Sequence, residues 1–378
     1  MTPPGGDAAA WLTGPAMLLA VVPLAAGAGR LLTRSLAALV DPLPADARLH
    51  RIVEVATVLT AAALWWWEVR LQAQLPVAVA AVDVPTLGLR WAAHAILFLF
   101  LAAASWVDLR HRVIPDAITV PGVLAGLAWN ALLPGTLLPI AAFRERSFAP
   151  PAAELDVLAV AGGLGASGLP GWLAGPGGLA AAGVLFAVWW WVATPPEAPA
   201  GRHQGWLPSG RTLIAIAGGV GLVAAWSVGG KHWAGLVTAI VGLAVSASLV
   251  WGTRAGASWA LGREAMGFGD VTLMAMAGAW LGWQACLLAC MLAVFIGLVH
   301  GLMQLLWHSE AELPFGPSLC LGSAAVVVAW RPLWELAAPQ FERPLEMALV
   351  AALVIALTAV TLWAWARLRP PASPRETP

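Results

Sequence analysis

The sequence predicts an all-α, polytopic transmembrane helical bundle, and three observations predict it. Hydrophobic residues make up 60% of the chain and charged residues only 11%, against roughly a quarter charged in a soluble domain. Apolar runs recur at the length of about 17–25 residues that a membrane-crossing helix needs. Arginines gather in some of the short connections and are sparse in others, the bias that orients helices in a bilayer. Lys and Arg number 20, as do Asp and Glu, so the net charge is zero and no basic surface points to nucleic acid as a partner. Membrane lipid is the partner the composition requires. Trp occurs 23 times and Tyr not at all. The clusters Trp65-Trp66-Trp67 and Trp189-Trp190-Trp191 close apolar runs, a placement suited to indoles at the headgroup level.

In chain order the candidate spans are 10–27, 52–67, 91–108, 116–134, 177–195, 211–228, 232–251, 270–307, 316–331 and 345–367. The run 270–307 reads as two short helices broken near Gly282–Gln284, which brings the total to about eleven crossings, in a range of about 8–12. Residues 28–51 hold Arg30, Arg34, Arg48 and Arg51, and the tail 367–378 holds Arg367, Arg369 and Arg375, so both are expected at the cytoplasmic face. The N-terminal run has no basic flank and no clear cleavage site, and reads as a retained anchor. The three cysteines, Cys286, Cys290 and Cys320, all lie in apolar stretches and form no CxxC pair. They read as small core residues, with no metal site and no disulfide framework among them.

Two acids stand where this chain has least reason to carry them. Asp108 ends the run LFLFLAAASWVD, and Asp270 ends MGFGD just ahead of VTLMAMAGAWLGW. A carboxylate beside hydrocarbon is costly and marks a candidate site. Each acid alone also fits a structural role, Asp270 as a helix N-cap and Asp108 as a helix-end partner of Arg110 or Arg112. Asp108 closes one helix and Asp270 opens another, so they share a membrane face only if an even number of helices crosses between them. The Gly/Pro-rich stretch 155–176 is therefore expected not to span, since a fifth crossing would put the acids about 30 Å apart. Four crossings also leave Arg110, Arg112, Arg202, Arg211, Arg254 and Arg263 on the side of both aspartates, in agreement with the charge bias. Two carboxyls held close at low dielectric cannot both ionise readily, so one can act as base and the other as acid. Gly267 and Gly269, around Phe268, allow close backbone approach and unusual dihedral angles just ahead of Asp270.

The residues around these acids resemble the type IV prepilin peptidases, membrane aspartic peptidases of the GxGD class. The resemblance is carried by WVDLRHRVIPDAITVPGVLAGLAWN (106–130), GREAMGFGDVTLMAMAGAWLGWQA (262–285) and LPFGPSLCLG (313–322). It implies that Asp108 and Asp270 are the catalytic pair, that Pro115 and Asp116 form a structural turn after the first acid, and that Gly267, Phe268 and Gly269 shape the site. It implies no cofactor and no metal in the chemistry. The implied substrates and partners are precursors of type IV pilins or pseudopilins, cut after a glycine behind a short basic leader, at the cytoplasmic face of the bacterial inner membrane. Many bacterial members carry two zinc-binding CxxC pairs and an Asn near the N-terminus, associated with methylation. Here GRLLTRSLAALVDPLPADARLHR has neither Cys nor Asn, so N-methyltransferase activity is not expected. On this reading residues 1–90 are N-terminal helices without the zinc segment, 91–135 the first half of the peptidase core, and 136–232 an insertion. Residues 233–331 form the second half and 332–378 a C-terminal helix and tail. The rivals from other classes are a proton-coupled transporter or channel using membrane acids, and a non-catalytic assembly protein on the same fold.

Overall fold

The computed structural model describes residues 17–39, 47–76, 82–139, 169, 171–194, 210–307, 314–341 and 343–368. The described helices are α1 (Leu18–Leu39), α2 (Ala47–Trp65, continued by a π-helical turn Trp66–Arg70), α3 (Val84–His111), α4 (Asp116–Leu132), the single turn α5 (Gly171–Ala174), α6 (Pro176–Ala193), α7 (Gly210–Val228), α8 (Gly230–Leu261), α9 (Phe268–Trp307), α10 (Gly316–Val328), α11 (Trp330–Phe341) and α12 (Pro344–Leu368). No strand occurs among the described residues. The chain is an all-α, multi-pass membrane protein.

Seven of these helices are long and apolar enough to cross a membrane, or eight if α10 and α11, bent by 94°, count as one broken span. That is fewer than the expected eleven, for local reasons, one being that α9, whose two arms are expected as separate crossings, counts as a single helix. In α1 the apolar stretch is confined to Ala20–Leu31, and α4 is likewise short of a full span. The expected loop from residue 28 is helical as far as Leu39, because Arg30 pairs with Glu54 of α2 and Gly29 packs against the same helix, where an added Cβ would sit 3.1 Å from the Glu54 Cα.

Helix α9 is one element with a non-helical residue, Gly282, at φ 78° and ψ 172°. Both of its arms meet Ser246 of α8. A Cβ at Gly278 would lie 2.7 Å from the Ser246 hydroxyl, and the Cys286 side chain lies beside the same hydroxyl. Residues four before and four after Gly282 therefore lie at one level, and the chain turns back there. Only glycine adopts such a backbone without strain. The arm 283–307 returns alongside α10: an added Cβ at Gly322 would sit 3.0 Å from the Ala293 amide nitrogen, and one at Gly297 would sit 3.2 Å from the Phe315 ring. The break expected at Gly282–Gln284 is this turn.

Between hydrocarbon tails and Leu side chains there is no hydrophobic difference to exploit, so helices associate through close packing and hydrogen bonds. The centre of the bundle shows both. Gly242 of α8 faces Gly278 of α9 so closely that a Cβ on either would overlap the other's backbone. On α4, Gly122 and Gly126 receive Met276 and Trp280; the Trp280 indole donates to the Gly122 carbonyl at 2.9 Å and Asn130 to the Ala279 carbonyl at 2.8 Å. Outward faces are apolar, as on α12, where Leu349, Leu353 and Leu357 are exposed and suited to lipid.

Among the described residues, α4 to α8 lie between Asp108 and Asp270; α6, α7 and α8 are long and apolar enough to cross, and α4 is a shorter apolar helix. The expectation that 155–176 does not cross falls mostly outside the described residues. Its described part includes α5, whose Leu173 and Ala174 carbonyls accept from Trp233 and Trp226 at the end of the bundle away from the aspartates. At that same end α11 lies across the helices; Trp330, Trp334 and Phe341 stack in sequence with centroids 5.2 and 5.3 Å apart, and Trp283 meets Phe341 edge-on at 5.4 Å. Trp65 departs from the headgroup expectation: it is 1% exposed, packed in the core, whereas Trp66 and Trp67 reach the surface.

Candidate active site

Asp108 occupies the last turn of α3. The helix stops because Arg112 adopts the left-handed conformation, φ 55° and ψ 30°, with its amide on the Asp108 carbonyl at 2.8 Å. Extended Pro115 (φ −72°, ψ 139°) then starts α4, its carbonyl accepting from the Ile118 amide at 3.0 Å. This short turn pushes the Ile114 side chain inward, where it is buried. The Ile114 backbone passes so close to Gly269 that a Cβ there would sit 2.9 Å from the Ile114 Cβ and 3.2 Å from its amide nitrogen. Ile114 also reaches Gly316 at the start of α10, where its Cδ1 is 3.0 Å from the position of an added Cβ. Three chain segments, 108–116, 267–270 and 314–320, are thereby locked together.

The carboxyl groups meet inside this junction. Asp108 and Asp270 are both buried, at 6% and 7% exposure. The Gly316 amide donates to the Asp108 carboxylate, and a Cβ on Gly316 would overlap that carboxylate. Asp270 stands in the first turn of α9 and feels the charge of Asp108. Each carboxyl thus lies beside a helix N-terminus, that of Asp108 against the start of α10 and that of Asp270 in the first turn of α9, where free amides and the helix dipole favour negative charge. Cys320, one turn along α10 from Gly316, is buried and interacts with both carboxyls.

The other expected residues divide. Pro115 shapes the turn, and Asp116 opens α4 as an exposed residue. Gly269 is needed for the approach to Ile114. Gly267 has only the Gly269 amide nitrogen near an added Cβ, at 3.9 Å, and neither glycine has positive φ, so the expectation of unusual dihedral angles does not hold. Phe268 is partly buried, with its ring 5.8 Å from the Arg254 guanidinium. No group of His, Cys, Asp and Glu among the described residues could hold a metal ion.

Sequence reasoning missed two features. Cys320 reads as core filler, although its spacing of four from Gly316 puts it on the face that looks at the carboxyls. The second is a buried polar cluster on α2 and α3, near their ends away from the aspartates. His94 Nδ1 lies 2.9 Å from both Glu68 carboxylate oxygens. Arg90 donates to the Gly135 and Thr136 carbonyls at 3.1 and 3.3 Å, with Glu68 and Asp83 as its counter-charges. The spacing of Arg90 and His94, one turn apart on an apolar helix, carries the same signal of charge beside hydrocarbon that marks Asp108. Removing one member of a buried charged group strands the others. Glu68→Ala is expected to cost about 3–5 kcal/mol, visible as a lower thermal unfolding midpoint in detergent, while Glu54→Ala, at an exposed pair, should cost less than about 1 kcal/mol.

Residues 95–150 and 203–302 match the type IV leader peptidase family. The match covers less than half of the chain. The matched stretches contain Asp108, Pro115, Asp116 and the whole of Gly267–Asp270, while Gly316 and Cys320 lie beyond them. Among curated relatives, the chain is similar to proteins named prepilin leader peptidase/N-methyltransferase. That of Burkholderia pseudomallei (strain K96243) is 32% identical over 138 residues, 35% of this chain and 43% of the relative. That of Aeromonas hydrophila is 37% identical over 103 residues, covering 24% and 36%. That of Pseudomonas aeruginosa is 43% identical over 63 residues, covering 16% and 22%. The chain thus spans less than half the length of each of these three leader peptidases. No solved structure matches the chain.

Proposed function

We propose that this protein is a prepilin peptidase that removes the short basic leader of type IV pilin or pseudopilin precursors, with Asp108 and Asp270 as its catalytic pair. The observation that carries this reading is the burial of both carboxyls in one junction at one end of the bundle, each beside a helix N-terminus. In the proposed step one carboxylate takes a proton from a water as the water oxygen adds to the scissile carbonyl. The other, protonated, gives its proton to the departing amine, so no metal or covalent intermediate is required. Arg110, His111, Arg112 and Arg263 are exposed at the same end, the pattern of a cytoplasmic face, which we assign to the inner membrane. There a basic leader stays in water while the apolar helix behind it lies in lipid. The open space beside Gly267 gives an extended substrate segment room next to Asp270.

A proton-coupled transporter gains no support from the buried charges elsewhere, because Glu68, His94 and Arg90 are engaged with one another and with backbone carbonyls and do not form a chain toward the aspartates. The relatives' names also include N-methyltransferase. We assign only the peptidase activity here, because residues 28–51 lack the Cys pairs that hold structural zinc. Co-expression with a pilin-like precursor in a host lacking its own enzyme tests both halves. The expected product begins at the residue after a glycine and carries an unmodified amine by mass spectrometry. Uncleaved precursor would overturn the peptidase reading, and a mass gain of one methyl group the assignment of cleavage alone.

A further inference from the structure

We propose that Arg254 is a positioning residue that holds the chain ahead of Asp270 so that this acid meets Asp108; the inference rests on the peptidase reading. Helix α8 ends at Gly262, in the left-handed conformation with φ 64°, and the chain doubles back over the last turns of the helix before α9 begins. Two side chains of α8 fasten that return. Ser258 Oγ accepts from the Ala265 amide at 3.1 Å. Arg254 donates through Nε to the Met266 carbonyl at 2.9 Å, pairs through Nη2 with Glu264, and lies over the Phe268 ring. One guanidinium thus contacts three residues of the five-residue stretch that delivers Gly269 onto Ile114 and Asp270 into the junction.

The three contacts differ in weight. Glu264 is 75% exposed on its side chain, so solvent screens that pair and it contributes little. The Met266 carbonyl is different. It precedes the glycines, and losing its donor frees the peptide plane just before Gly267, where no side chain limits rotation. A planar guanidinium makes the carbonyl and ring contacts together, which a lysine ammonium does not reproduce. The consequence expected is catalytic. Misplacement of a reacting group by about 1 Å can cost about 10²-fold in rate, while the packing of α8 on α9 through Gly242 and Gly278 is untouched.

The test compares purified wild type, Arg254→Gln, Arg254→Lys and Glu264→Gln on one pilin-like precursor. Arg254→Gln should lower kcat by about 10- to 100-fold with KM changed less than about threefold, at an unaltered thermal midpoint. Arg254→Lys should recover little, and Glu264→Gln should stay near wild type. A second measurement needs no substrate. Cysteines introduced as Ile114→Cys and Gly269→Cys, whose Cβ atoms would be close enough for a disulfide after a small shift, should cross-link readily with Arg254 present. They should do so several-fold more slowly with Arg254→Gln, read by mass spectrometry of the linked peptides. Unchanged kcat together with unchanged cross-linking overturns the proposal. Loss of kcat fully explained by a lower folded fraction, with cross-linking of the folded part unchanged, overturns it too. If wild type cleaves no precursor, the peptidase reading has failed; a fast cross-link that slows without Arg254 would still show the loop to be held as described.

Discussion

Asp270→Asn is expected to lower precursor cleavage by at least about 10³-fold, and Asp108→Asn by a comparable factor. General acid–base groups typically contribute about 10²- to 10⁴-fold each. Asparagine keeps the size and most of the hydrogen-bonding shape of the carboxyl but can neither accept the water's proton nor supply one to the leaving amine. On the proposed mechanism the two acids act as a unit, so the double variant should be little worse than the weaker single variant. The fold should not suffer. Two carboxyls buried within reach of each other's charge oppose the folded state, so removing one should leave the thermal midpoint unchanged or raise it, as at other sites where function is bought with stability. Cleavage by an Asn variant within tenfold of wild type would exclude the pair as the machinery and favour a non-catalytic role. Rates must be normalised to folded, membrane-inserted protein, which the midpoint measurement supplies.

What the sequence made legible is what depends on short range. A charge at the end of an apolar run marks Asp108 and Asp270 without any knowledge of the fold. The glycine break at Gly282 is visible because a run of that length cannot be one span. The even crossing count is an expectation drawn from the placement of the two acids alone. The features that escaped depend on partners far away in the chain. Glu68 looks like the polar end of a Trp-rich run until His94 of another helix is placed beside it. Gln74, in a connection, donates to the Val327 carbonyl, and the Trp330 indole donates to the Pro139 carbonyl at 2.8 Å. Neither pairing has a local signature. Trp65 was assigned to the headgroups because neighbouring indoles cluster there, yet consecutive helical residues point about 100° apart, so one of the three turns into the core. The extension of α1 past residue 28 likewise needs Glu54, inside the expected span 52–67, opposite Arg30 of the expected loop, a pairing that charge counting does not give.

Gly316→Ala is the substitution expected to separate the geometry of the site from its chemistry. The side chain it adds is a single methyl group at the first residue of α10, where alanine is if anything the better helix former, and Gly316 has no positive φ to strain. By local rules the change is neutral or stabilising. The site says otherwise. The new Cβ would overlap the Asp108 carboxylate and approach its Cγ to 3.0 Å and the Ile114 Cδ1 to 3.0 Å. The carboxylate is the most easily displaced of these groups, since it turns about one or two side-chain bonds while Ile114 is pinned against Gly269. Rotating away, it loses the Gly316 amide and its place opposite Asp270. A displacement of about 1 Å is worth about 10²-fold in rate, so cleavage should fall by about that factor with both acids intact and the thermal midpoint within a few degrees of wild type. Gly322→Ala, farther along the same helix, gives the contrasting result. There a Cβ meets Ala293 at 3.0 to 3.1 Å and overlaps the Ala289 carbonyl more closely still, so the cost should appear in stability and much less in the rate of the folded enzyme. If Gly316→Ala instead lost stability and kept its specific rate, the Asp108 carboxylate would not occupy the place that the Gly316 amide gives it.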